Sequence, residues 1–476
     1  MKKITIVFLL ILTTINLFAK EQIGTCNKNV YNVGVIQNNV PVCFCFEETQ
    51  GLISTIKKYY VKVGNNEFGP YDFIDSCLFT SDKIIYTAKQ NDKWGLFANG
   101  QNLGYYKGIS NFFISDDKKT LSYAFESETG VYIKCGEKQL GPFEGLKYFL
   151  VSDDKIISYV VNEKSKYYIY AKNKKYGPFD DVSDWKFQTD SFAYKVQKNN
   201  KQYVFTESGL LIGPFGDVHL KCYSNDGKKL AYVTVNDYEI KESLNESLKS
   251  VVSTLCINDK IIETGWLISE VDFLDDNELI YSISDISKKN PESYIHYGNK
   301  KYGPFLSIRD VALSKDKQTI AFSYQSDYAD YGSNYYLCVA NEKAGPYEDC
   351  YNITFSPDGK SLAYEIKENK EWYLIYNQKK LGPYQSITDI TISDNNKLAY
   401  VSSDEYFKNN ILHIGNFQSK PHNFIMNVKF FGDIISYRAE DDYEFYDLIV
   451  LEGKELVGKY INGSLIYFEG GKIFKE

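Results

Sequence analysis

The feature that most constrains this chain is a phrase it repeats. Gly-Pro-aromatic occurs in "IYAKNKKYGPFDDV", "IHYGNKKYGPFLSI" and "IYNQKKLGPYQSI", and falls at Gly69, Gly141, Gly177, Gly213, Gly303, Gly345 and Gly382. Worn copies at Gly104, Gly265, Pro421 and Gly458 fill the gaps, so the usual step is about 36 to 38 residues. A second phrase keeps the same step. "FSPDGKSLAYEI" has relatives in "YSNDGKKLAYVT", "LSKDKQTIAFSY" and "ISDNNKLAYVS". Its aromatic recurs as Tyr86, Tyr123, Tyr159, Tyr194, Tyr232, Tyr281, Phe322, Tyr364, Tyr400, Tyr437 and Tyr467, with a degenerate first copy at Phe46. A third mark is an aromatic nine residues before the glycine: Tyr60, Tyr132, Tyr168, Tyr294, Tyr336 and Tyr373. Three marks sharing one period specify a repeat architecture.

Within a unit the pattern is that of strands. "DITISDNNKLAYVSS" is a strand, a tight Asp/Asn turn and a second strand, because Asp and Asn side chains cap turn backbone. "EWYLIYNQKKLGPY" is a third strand, an Asn-Gln turn and a short fourth strand. Proline there lacks an N–H, which suits an outer edge. Helical repeats would place apolar residues at i, i+3, i+4 and i+7, whereas these segments alternate with period two. The fold expected is all-β: a β-propeller of about 11–12 four-stranded antiparallel repeats, with an elongated β-solenoid as the competing architecture. The phrase "FSPDGKSLAYEI" followed by a tyrosine-rich strand resembles the WD-like repeat of bacterial TolB-type β-propellers. That resemblance covers nearly the whole chain after its first residues, and it implies an exported protein that works by protein–protein contact. Its signature Ser-Pro-Asp-Gly is intact only at Ser356–Gly359.

So many units divide most naturally into two consecutive propellers, residues 20–265 and 266–476, with one large ring as the alternative. The C-terminal "GSLIYFEGGKIFKE" lacks a fourth strand, and "NKNVYNVGVI" reads as a lone fourth strand that would complete it. Residues 1–19, "MKK" followed by an apolar run, read as a signal peptide, and no later segment is apolar enough to span a bilayer. A lipid-attachment reading would end at Cys26, but Lys20 and Glu21 interrupt it. The final compartment expected is periplasm or cell surface.

A net charge of -8 offers no field for phosphates and argues against nucleic acid as partner. The nine cysteines include no Cys-x-x-Cys, and His219, His296, His413 and His422 are scattered singly. Cys43 and Cys45 share one face of a strand, too near along it to bond each other, and the cysteines read as small buried hydrophobes with one or two disulfides. No Gly-x-Ser-x-Gly, phosphate-binding glycine loop or His-Glu-x-x-His is present. The sequence therefore assigns no catalytic, cofactor-binding or metal residue.

Binding groups are expected at one end of the sheets, where the second-to-third and fourth-to-first connections vary in length. An insertion there, about residues 236–256, carries Ile240, Leu244, Leu248, Val252 and Leu255 on one stripe and predicts an amphipathic helix. "SYQSDYADYGSNYY" (Ser323 to Tyr336) and "RAEDDYEF" (Arg438 to Phe445) combine tyrosines with acids, which suits sugar or protein recognition. Asp72, Glu144, Asp180 and Glu348 follow the Gly-Pro-aromatic phrase. They read as turn caps, because Leu306, Gln385 and Gly216 break any ring of cation ligands. The function expected is an exported, non-enzymatic scaffold for a protein or glycan partner. The alternatives are a carbohydrate-active propeller using loop carboxylates and a purely structural envelope component.

Overall fold

The computed structural model describes residues 21–475 apart from segments at 37–39, 51–54, 81, 116–119, 153–154, 189–190, 237–251, 286–290, 330–331, 405–408, 433, 442–443, 452, 462–463 and 471. The signal-peptide reading lies outside these residues, as do Ile240, Leu244 and Leu248. The strands form ten four-stranded antiparallel sheets and one of seven strands. Every four-stranded sheet runs in chain order, as in Asn29–Ile36, Val40–Gln50, Thr55–Val63 and Asn66–Tyr71. Such sheets, stacked one against the next, make the chain a β-propeller. No helix among the described residues is long and apolar enough to cross a membrane.

Each repeated mark has a physical counterpart. The aromatic that ends the Gly-Pro phrase packs on the second-strand aromatic of the following sheet. Tyr71 meets Tyr86 at 5.9 Å between ring centroids, Phe143 meets Tyr159 at 5.5 Å, Phe305 meets Phe322 at 5.6 Å and Tyr384 meets Tyr400 at 5.6 Å. The worn copy at Gly104 keeps the contact, Tyr106 on Tyr123 at 6.2 Å. Where both rings are tyrosines the hydroxyls also bond, at 2.9 Å for Tyr71 and Tyr86. Each ring pair contributes about 0.5–1.5 kcal/mol beyond the area it buries. The two phrases share a period because each sheet is fastened to its neighbour through them.

The third mark explains the glycine. Gly177 has φ +128, and a Cβ there would lie 2.9 Å from the Tyr167 carbonyl oxygen and 2.9 Å from Cδ1 of Tyr168. Only glycine lets the fourth strand come this close beneath that tyrosine. Lys175 then covers the outer face of the Tyr168 ring at 3.9 Å, as Lys343 covers Tyr336 at 3.4 Å and Lys380 covers Tyr373 at 3.7 Å. In the first-to-second turn, the Ser356 hydroxyl donates to Asp358 at 2.6 Å and accepts from the Ser361 amide at 2.9 Å. Ser314 and Asp316 repeat this at 2.6 Å, with the Thr319 amide as donor at 2.9 Å. The turn needs the serine and the aspartate; Pro and Gly can erode.

Two expectations are corrected. Val252 and Leu255 are not helical: they lie in the strand Val252–Ile257, where Val252 faces Asn236 and Leu255 faces Val233. Leu255 is fully buried, so packing against the next sheet overrides the helical spacing. "NKNVYNVGVI" is not a closing strand either, since Asn29–Ile36 is the first strand of the first sheet. The chain ends do meet, but through Glu21–Thr25, which pairs antiparallel with Lys472–Lys475 and forms the outer edge of the seven-stranded sheet. The first sheet packs on that last one through Val30, Val33, Ile466 and Ile473. The sheets flanking residue 265 pack like other neighbours, through Ala231, Val233, Leu255, Ile268 and Phe273.

Candidate functional site

The four acids that follow the Gly-Pro-aromatic phrase are turn caps. Each accepts a backbone N–H from the second-to-third turn of the next sheet: Asp72 from Asn91 at 3.0 Å, Glu144 from Lys164 at 2.7 Å, Asp180 from Asn199 at 2.7 Å and Glu348 from Lys370 at 3.1 Å. The donors have φ between 49 and 68, the left-handed conformation of a tight hairpin. The carboxylates hold turns and do not converge on a common point. The segment from Ser323 to Tyr336 belongs to a long hairpin, Ile320–Ala329 with Gly332–Val339.

Arg438 and Phe445, the two ends of the other tyrosine-and-acid segment, line a cleft of about 510 Å³ where the first and second sheets meet the last. The other walls are Tyr31, Asn32, Phe44 and Tyr59 of the first sheet, Phe73–Cys77 at the start of the second, and Asp447 and Lys459. The cleft lies at the end of the sheets where second strands turn into third strands. Phe73 and Phe445 are 44% and 48% exposed, unusual for phenylalanine. Phe73 stands edge-on to Tyr59 at 5.9 Å and to Trp94 at 6.4 Å, which extends the aromatic surface onto the second sheet.

The polar side of the cleft is a three-membered ion cluster. Arg438 Nε donates to Asp447 Oδ1 at 2.9 Å and Lys459 Nζ to Asp447 Oδ2 at 3.1 Å. Burial alone would raise the Asp447 carboxyl, but Lys459 and Arg438 outweigh it and hold it below the usual carboxylate range. Two cations on one anion leave the cluster itself net positive, and Asp75 on the cleft wall offsets that charge. Asn32, 7% exposed, donates from Nδ2 to Cys77 Sγ at 3.7 Å, and its Oδ1 meets no protein donor. A buried amide oxygen without a partner costs about 1–3 kcal/mol.

Two further polar groups stand apart from the cleft. Glu365 is fully buried on its strand, accepts from Asn352 Nδ2 at 2.7 Å, and has a second oxygen without a donor. Burial pushes its carboxyl up to about 7 despite Asn352 and Tyr351, with Asp349 and Asp310 adding to the rise. His422 is sandwiched between Asp441, 2.9 Å from Nδ1, and Glu455, 3.3 Å from Nε2.

All nine cysteines are free, where the sequence allowed one or two disulfides. The Cys26, Cys43 and Cys45 sulfurs all lie within 4.8 Å of one another in the interior. Sequence reasoning placed Cys43 and Cys45 on one strand face but missed Cys26, which reaches them only because Glu21–Thr25 crosses to the C-terminal strand. No local signal carries that contact.

No family model matches the chain, and no curated protein matches it. Solved structures similar to it include the β-propeller domain of the Trilobed protease from Pyrococcus furiosus, at 16% identity and a TM-score of 0.30, covering 58% of this chain and 96% of that one. The tricorn protease is similar at 11% identity and a TM-score of 0.28, over 89% of this chain and 48% of its own. The acylaminoacyl peptidase of Pyrococcus horikoshii gives 12%, 0.28, 65% and 57% in the same terms. No activity is taken from likenesses this distant.

Proposed function

We propose that the chain is an exported propeller that binds a short oligosaccharide in the cleft at its seam. One observation carries this reading: exposed Phe73 and Phe445 flank a cavity whose wall holds the Arg438–Asp447–Lys459 cluster. Sugar rings present apolar faces that stack on aromatic rings, and hydroxyls that both donate and accept. Acceptor oxygens of a sugar suit the cluster's spare N–H groups. With Asp75 and Asp447 balancing Arg438 and Lys459, the cleft carries no net charge and favours neutral sugars. Export rests on "MKK" and the apolar run after it, and kinship with TolB-type propellers rests on the Ser356–Gly359 turn.

A glycan array followed by calorimetry tests the reading. Binding of a neutral oligosaccharide is expected, weakened up to about tenfold by Phe445→Ala or Phe73→Ala, as loss of one stacking partner implies. Binding that both variants leave unchanged would move the site elsewhere. Shortened sugars in the same mixtures would turn the reading into a hydrolase.

A further inference from the structure

We propose that Cys26, Cys43 and Cys45 form a three-thiolate site for a soft monovalent cation, cuprous ion being the biological case. The three sulfurs belong to side chains that are 4%, 1% and 0% exposed. Cys43 and Cys45 are two residues apart on Val40–Gln50, so both point to one face of the sheet. Cys26 lies just after Glu21–Thr25 and completes the triangle from outside that strand. Among the described residues this is the one group of cysteine, histidine or acidic side chains whose ligand atoms gather this tightly.

The chemistry of the donors selects the ion. Thiolates favour soft metals. A structural zinc site wants four tetrahedral ligands, and the group offers three. Cuprous ion accepts three sulfurs in a plane and needs no fourth. Val30, Val33, Ile466 and Ile473 surround the thiols and exclude the water that would otherwise fill a vacant position. Lys62 donates to the Thr25 carbonyl at 2.8 Å and brings a positive charge towards the sulfurs. The three thiols give up their protons as the metal takes their positions. Occupation would tie Cys26, and with it the strand paired to Lys472–Lys475, to the second strand of the first sheet.

The full reduced chain, handled anaerobically and mixed with cuprous ion as its bicinchoninate complex, gives the test. The chain is expected to take one equivalent from the chelator, to show a near-ultraviolet thiolate-to-copper band and to gain thermal stability. Cys26→Ser, Cys43→Ser and Cys45→Ser should each abolish retention, while Cys135→Ser and Cys350→Ser keep it. Should the variants fail to fold, X-ray absorption of the loaded wild-type chain decides: three sulfur neighbours are expected, and nitrogen or oxygen neighbours would overturn the site. Retention unaffected by Cys26→Ser, or a disulfide mapped among the three in freshly isolated protein, would also overturn it. Zinc held as tightly as copper would refute the choice of a monovalent ion.

Discussion

The sheets between residues 73 and 403 and the seam where the chain ends meet solve the same packing problem differently. Between the regular sheets, an aromatic of one fourth strand seats on an aromatic of the next second strand, as in Tyr71 on Tyr86 and Tyr384 on Tyr400. At the seam the last sheet runs on to seven strands, and the first and second sheets face Arg438, Asp447 and Lys459 across a cleft. The thiol cluster lies in the apolar packing between the first and last sheets. A repeat satisfies its own interfaces only while a next copy follows. At the seam the junction is filled instead by the thiol cluster in apolar packing and by the Arg438–Asp447–Lys459 cluster beside the cleft.

The most drastic way to break this comparison is to cut the chain between 265 and 266 and express the halves separately. The first sheet buries Val30 and Val33 against Ile466 and Ile473 of the last. Each half is therefore expected to be insoluble or to unfold without a cooperative transition, and the two halves mixed should recover one. Two halves that unfold cooperatively alone, followed by circular dichroism in urea, would show two self-contained rings and reduce the seam to a contact between them.

Single substitutions sharpen the contrast. Tyr86 is fully buried, stacks on Phe97 at 5.1 Å and bonds Tyr71. Tyr86→Ala should cost about 3–5 kcal/mol of stability in urea unfolding, and Tyr86→Phe about 1 kcal/mol, since only the hydroxyl pair is lost. Phe445→Ala at the seam should stay within about 0.5 kcal/mol of wild type because the ring is half exposed. A Tyr86→Ala protein as stable as the Phe445 variant would mean that the ring contacts do not fasten sheet to sheet.

The regular part was legible because its signals are local and repeated. Strands, tight turns, the glycine beneath Tyr168 and the capping acids Asp72 and Glu348 all follow from residues within one or two units of each other. The seam was not. Glu21–Thr25 pairs with residues some four hundred and fifty positions away, so neither its strand nor the arrival of Cys26 at Cys43 leaves a trace in spacing. The same blindness turned Val252 and Leu255 into helix, since the burial of Leu255 depends on Ile268 and Phe273 of the following sheet, while Val252 stays exposed on its strand. The segment Arg438 to Phe445 was singled out from composition and does reach the cleft, but its partners Phe73 and Asn32 were invisible for the same long-range reason.

The pH dependence separates the two regions most finely. Glu365, among the regular sheets, has a folded carboxyl pushed up to about 7 from 4.5, so the native state holds its proton more tightly than the unfolded chain. That contribution is complete below about pH 4.5 and is lost as pH rises through 7, a decline of about 3 kcal/mol at roughly 1.4 kcal/mol per unit. Glu365→Gln should remove this slope from urea midpoints measured across that window. His422 packs against the last sheet; burial would lower it, but Glu455 and Asp441 outweigh burial and raise it above 6.5. Its stabilisation is present below 6.5 and lost as pH climbs through that raised value, a decline that should disappear in His422→Gln. Glu365→Gln would then leave the His422 limb intact, and His422→Gln the Glu365 limb. If either variant flattened both limbs, the two groups would be coupled, and the regular sheets and the seam would unfold as one electrostatic unit.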